Sequence, residues 1–176
     1  TFCMDEKLLK ELIEYLRNLH HVHGNALPSL ELYMDQVTGF MDEHLSSMRR
    51  HKEDKALTKT MINNYAKNKI LPPPVRKRYN NNHMLILLFI YYYKSMLSLS
   101  DIETILRPLN ENYFYSTKSP QLKDIYEEIF SFANIEMQNV MADVEESFEK
   151  AKNSFSEKDP LFENLAEEER QDLQKF

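Results

Sequence analysis

Glycine is the first shortage, with two in 176 residues. Hairpins and tight turns draw on glycine for positive φ angles, so a chain this poor in it is expected to be mainly helical. Its wealth of Leu, Glu, Lys, Met and Asn, and its few valines, agree. A single cysteine, Cys3, excludes a disulfide framework and a thiolate metal site. The longest apolar run, Met84 to Tyr93, is about half of what a bilayer requires. With no secretory signal visible, a cytoplasmic protein is expected. So few glycines leave no phosphate-cradling loop, and no metalloprotease or nucleophile-elbow motif occurs. Carboxylate pairs such as Glu127-Glu128 and Glu145-Glu146 read as the wet faces of amphipathic helices. Neither an enzyme nor a cofactor is expected from this inventory.

What is present is charge collected in one place. The chain carries a net −6, yet ten basic residues and only two acidic ones lie between Arg49 and Arg78. That segment is +8, which leaves −14 for the remainder. Phosphate neutralisation is local, so a basic island in an acidic chain says more than the total.

The island centres on residues 57–79. Thr58 and Thr60 are candidate N-caps for a short helix, whose narrow apolar face is Met61, Ile62 and Tyr65. Lys59, Asn63, Asn64 and Lys67 form the other face, with no carboxylate among them. Pro72-Pro73-Pro74 must stop the helix, because proline supplies no amide and pushes its predecessor out of helical geometry. Arg76, Lys77, Arg78 and Tyr79 follow at once. A polar, basic helix followed by a stiff basic loop is the layout of a recognition helix with a wing.

These residues carry a resemblance. Thr58, Tyr65, Ile70-Leu71-Pro72-Pro73, Tyr79-Asn80 and Ser98-Leu99-Ser100-Asp101-Ile102 together resemble the amino-terminal DNA-binding domain of the MerR transcription regulators. Residues 27–106 are also similar to a bacterial family known as a domain of unknown function with a MerR-like core. The match departs from MerR proteins in a long polar insertion before Thr58 and in an abbreviated wing. The cysteine-dependent, metal-sensing MerR branch is excluded by composition. The resemblance implies a MerR-like winged helix-turn-helix domain, a homodimer and a partner in double-stranded DNA. Asn63, Asn64 and Lys59 would then meet base edges, since amides pair with adenine and lysine with guanine. Thr58, Lys67, Arg76, Lys77 and Arg78 would hold phosphates, with Thr60 and Tyr79 completing the surface.

The remaining chain reads as helices around this domain. Residues 4–22 repeat leucine and isoleucine at steps of three and four, and end near Gly24. His20, His21 and His23 cluster there. Neighbouring histidines on a fraying helix do not converge on one ion, and no Asp or Cys completes a set, so the expected role is interaction with the helix C-terminus. A helix from Leu32 to Met48 should support the 58–67 helix, and Arg49, Arg50 and Lys52 follow it in a polar segment. Asn80, Asn81 or Asn82 should cap a helix to Leu97 that is apolar on every side and must therefore be core. Its tyrosines at 91–93 point in different directions, which favours packing over a base-stacking platform. Ser98 and Ser100 form overlapping capping boxes with Asp101 and Glu103, for a helix ending at Pro108.

After a linker at 109–118, Ser119 and Pro120 should start a helix to Phe155, with an apolar stripe sustained for about nine turns. That helix either dimerises or packs back on the first helix. A short acidic helix closes the chain. The expected division is 1–26 as an amphipathic helix, 27–108 as the DNA-binding domain and 109–176 as a dimerisation or packing region. The rival reading is a protein-interaction module on the same scaffold, and a small-molecule sensor is a third.

Overall fold

A computed structural model describes residues 6–17, 20–48, 55–154 and 161–173. Among them are seven α-helices and one two-stranded antiparallel sheet: α1 (Glu6–Arg17), β1 (Leu32–Tyr33), α2 (Met34–His44), α3 (Lys59–Lys67), β2 (Arg78–Tyr79), α4 (Asn81–Tyr93), α5 (Leu99–Asn112), α6 (Leu122–Lys152) and α7 (Glu167–Leu173). The protein is mainly helical, as its composition indicates. No described helix is long and apolar enough to cross a membrane. Contacts divide the chain into residues 21–131 and a second unit of 1–20 with 132–176.

The 21–131 unit is built around α4. Met84 through Ile90 are each at most 1 % exposed, which an all-apolar helix requires when other elements surround it. Val37 and Met41 of α2, Ile62 and Tyr65 of α3, Ile102 and Leu106 of α5, and Leu122 and Tyr126 of α6 close over it. Asn80 caps α4 by accepting from the His83 amide at 3.1 Å. The His83 ring is buried and reaches the Asn80 amide through Nδ1 at 3.1 Å and the Pro73 carbonyl through Nε2 at 3.3 Å. Burial lowers its pKa against the opposing pull of the Pro73 carbonyl, so the ring is held neutral. The tyrosines at 91–93 are half-buried, and Tyr92 Oη accepts the Val22 amide at 2.9 Å.

Several boundaries differ from expectation for local reasons. The segment expected as one helix from Leu32 begins as β1, because Leu32 and Tyr33 pair with Tyr79 and Arg78. After α2 it continues as a 3-10 turn at Ser46–Met48. Helix α5 runs through Pro108 to Asn112. Proline removes one amide there, facing the carbonyl of the exposed residue Thr104, where water can replace it. Buried Phe114 and half-buried Leu109 tie the last turn to the core. Helix α6 starts at Leu122, with the Gln121 amide donating to Asp124 Oδ2 at 2.8 Å. Of its long apolar stripe only Leu122 and Tyr126 are buried.

In the other unit, α1 and the end of α6 border a cleft of about 580 Å³ lined by Leu9, Ile13, Arg17, Glu145 and Glu149 among others. Among the described residues the acidic closing helix covers Glu167–Leu173, and its buried Arg170 donates to the Leu165 carbonyl at 2.5 Å. Arg49, Arg50, Lys52 and Cys3 lie outside the described residues.

Candidate nucleic-acid interface

Helix α3 starts where Thr58 accepts from the Met61 amide at 3.2 Å, so Thr58 is a cap and Thr60 an exposed first-turn residue. Ile62 and Tyr65 turn inward, at 0 % and 3 % exposure. Lys59, Asn63, Asn64 and Lys67 are all exposed, leaving a carboxylate-free face of amides and ammonium groups.

The helix ends before the prolines act. Lys69 has φ +61°, its amide donates to the Ala66 carbonyl at 3.2 Å, and the Ile70 amide donates to the Tyr65 carbonyl at 3.0 Å. This is a Schellman ending with lysine where glycine is usual. Ile70 and Tyr65, which the motif brings together, are both in the core, and Asn110 Nδ2 donates to the Ile70 carbonyl at 2.8 Å.

The basic loop is a tight hairpin. Val75 and Arg78 are bridged, with the Arg78 amide donating to the Val75 carbonyl at 2.9 Å. Between them Arg76 and Lys77 have φ +49° and +63°, the pattern of a type I′ turn. Left-handed backbone costs roughly 1–2 kcal/mol at a residue bearing a Cβ. Neither glycine of the chain has a positive φ. The left-handed positions are filled by Lys69, Arg76 and Lys77 instead, so scarce glycine did not mean an absence of tight turns. All of Val75 to Arg78 is exposed.

The two elements meet at the start of α2. Lys59 Nζ forms an ion pair with Asp35 in the first turn of α2. Two residues earlier, the Tyr33 ring carries the Arg78 guanidinium 5.6 Å from its centroid, and Glu31 Oε2 lies 4.0 Å from Arg78. Tyr33 beside the guanidinium, with a smaller pull from Glu31, raises the Arg78 pKa. Two of the candidate cations therefore already face carboxylates, Asp35 and Glu31. Both pairs are well exposed, the setting in which ion pairs contribute little and exchange readily.

Tyr79 departs from its expected place on this surface. It is 3 % exposed and belongs to the core, and burial raises its pKa, keeping the phenol neutral. Its role is to anchor β2 beneath the hairpin.

Sequence reasoning missed a second cluster. His21, His23 and Glu127 are the one group of potential metal-binding side chains found among the described residues. Glu127 Oε2 lies 3.2 Å from His23 Nδ1 and 3.7 Å from His21 Nε2, while its Oε1 accepts the Gly24 amide at 2.5 Å. A Cβ at Gly24 would stand 3.0 Å from Glu127 Oε1 and from the Lys123 side chain, so both side chains would have to give by a few tenths of an ångström to admit one. Burial would raise the Glu127 pKa, but the Gly24 amide and both histidines more than offset it and hold it below the usual carboxylate range. Glu127 is thus not simply a wet-face residue, and it supplies the acidic member that the histidine cluster lacked in the sequence. A partner about a hundred residues away leaves no spacing to read.

The family model described as a domain of unknown function (DUF1836) matches residues 22–129. No curated protein and no solved structure matches the chain.

Proposed function

The chain belongs to the DUF1836 family, whose description assigns no activity, so we propose from its own surface that it is a DNA-binding transcription regulator with a MerR-like winged helix-turn-helix. The observation that carries this reading is the shared surface of α3 and the 75–78 hairpin, joined at the start of α2 through Asp35 and Tyr33. Asn63, Asn64 and Lys59 supply donors and acceptors suited to base edges from the exposed face of a helix. Lys67, Arg76, Lys77 and Arg78 supply phosphate contacts that fix the register. Thr58 is engaged as a cap and contributes through the helix start it defines. The exposed apolar residues Phe132, Ile135 and Val140 of α6 support a homodimer, whose two-fold symmetry would call for a palindromic site.

The test is fluorescence polarisation with a mixed-sequence duplex at several salt concentrations, alongside the triple variant Arg76→Ala, Lys77→Ala and Arg78→Ala. Binding should fall steeply with salt, and the variant should bind more weakly with a slope shallower by about 0.9 per lost phosphate contact. Absence of binding at low salt would remove the regulator reading and leave the same surface to a protein partner.

A further inference from the structure

The geometry points to a divalent transition-metal site of the zinc class made by His21, His23 and Glu127. It is independent of DNA binding, since none of the three belongs to α3 or the hairpin. The donor chemistry comes first. Two imidazoles and one carboxylate, without a thiolate, suit Zn²⁺ and its neighbours and do not suit Mg²⁺ or Ca²⁺, which take oxygen donors.

Distances follow. Tetrahedral bonds of about 2.0–2.1 Å place donor atoms about 3.3–3.4 Å apart. The carboxylate oxygen stands 3.2 Å and 3.7 Å from the two imidazole nitrogens, and all three donor atoms lie within 4.8 Å of one another. Closing the remaining edge takes a small swing of one ring, and the His23 side chain is 63 % exposed and has room for it.

The other two donors are held in place. The His21 side chain is 6 % exposed and stacks on Phe130, with ring centroids 4.8 Å apart and planes 12° from parallel. The Gly24 amide occupies Glu127 Oε1, which turns Oε2 toward the histidines. Such outer contacts orient ligands and commonly decide affinity. The backbone between the two histidines is fixed as well. Val22 is gripped at its amide by Tyr92 Oη and at its carbonyl by the Tyr126 hydroxyl, at 2.9 Å and 2.6 Å. Three protein donors leave a fourth position on the exposed His23 side for water or an exchangeable ligand.

The experiment is titration of the full chain with Zn²⁺ in competition with a chromophoric chelator, repeated with Mg²⁺, on wild type and on His23→Ala, Glu127→Gln and His20→Ala. Circular dichroism checks that each variant is folded. His23→Ala is the safeguard, because its exposed ring can be removed without opening the core. Wild type should bind one zinc per chain at micromolar metal and ignore Mg²⁺. His23→Ala should weaken zinc by about tenfold to a hundredfold, and the adjacent His20→Ala should leave it unchanged. The site is overturned if wild type takes up no zinc at micromolar concentrations, or if His23→Ala binds as wild type does. A DNA-binding result of either sign leaves this outcome untouched.

Discussion

Two places in the 21–131 unit gather polar and charged side chains, and they do so in opposite ways. On α3 and the hairpin the groups are spread along a surface and well exposed, and two of them, Lys59 and Arg78, face carboxylates that are exposed too. At His21, His23 and Glu127 three groups converge on one point, two of them held by the core beneath. The first arrangement suits a polyanion, whose charge is distributed and whose binding is sensitive to salt. The second suits a point ligand, because preorganised donors lose little freedom on binding. The difference lies in what fixes each side chain: solvent-exposed stems at one, packed rings and backbone amides at the other.

The largest expected effect breaks the second place without touching the first. The Tyr126 hydroxyl donates to the Val22 carbonyl at 2.6 Å, and both residues are buried. Burial lifts the phenol pKa far above its ordinary value, so the donor keeps its proton at any working pH. Tyr126→Phe removes the donor and leaves a buried carbonyl unsatisfied, which should cost about 1–3 kcal/mol in urea unfolding. It should also loosen the His21–His23 segment and weaken zinc, while duplex binding in the folded state stays unchanged. Equal losses at both places would show that they are not separable.

How far the sequence revealed each place follows from the same contrast. The α3 surface was legible because its determinants are neighbours in the chain: a Thr58 cap, an apolar face of Ile62 and Tyr65, and a run of cations, although the turn at Lys69 ends the helix before the prolines expected to stop it. Tyr79 was misplaced because its aromatic ring was read with the cations beside it, whereas its pairing with Leu32 in the sheet turns it inward. The hairpin's backbone was also hidden, since Arg76 and Lys77 are poor signals for left-handed geometry. Glu127 lay beyond any local pattern and resembled half of an ordinary acidic pair. The core of α4 was legible from its run of apolar residues alone, but the burial of only the first two turns of α6 was not, because a periodic stripe does not say how far its partner extends.

A smaller effect sharpens the account of the first place by separating backbone from charge. Arg76→Asn with Lys77→Gly puts residues that accept left-handed geometry into the type I′ turn. Relief of the left-handed backbone should stabilise the fold by about 1 kcal/mol, measured by denaturant midpoint. Duplex affinity should fall all the same, because two exposed cations are gone. A variant that is more stable and binds as tightly would remove the hairpin from the interface and leave Arg76 and Lys77 without a reason for being there.

The smallest expected effect concerns the carboxylates that already face the cations. Asp35 pairs with Lys59, and both side chains are more than half exposed. Such a pair contributes about 0–1 kcal/mol, and an acid in the first turn of α2 adds about 0.3–1 kcal/mol through the helix dipole. Asp35→Asn should therefore lower stability by a few tenths of a kcal/mol, the two contributions together bounding the loss at about 2 kcal/mol. Asparagine at this position also removes a negative charge from the surface proposed to meet phosphates and releases Lys59 toward the duplex. Affinity should rise by a few-fold at low salt and converge on wild type as salt increases, since the added attraction is screened over about 10 Å at 0.1 M. If affinity instead stays flat at every salt concentration, Lys59 belongs to the α2–α3 contact and not to the interface, and the α3 contribution to base reading would then fall to Asn63 and Asn64.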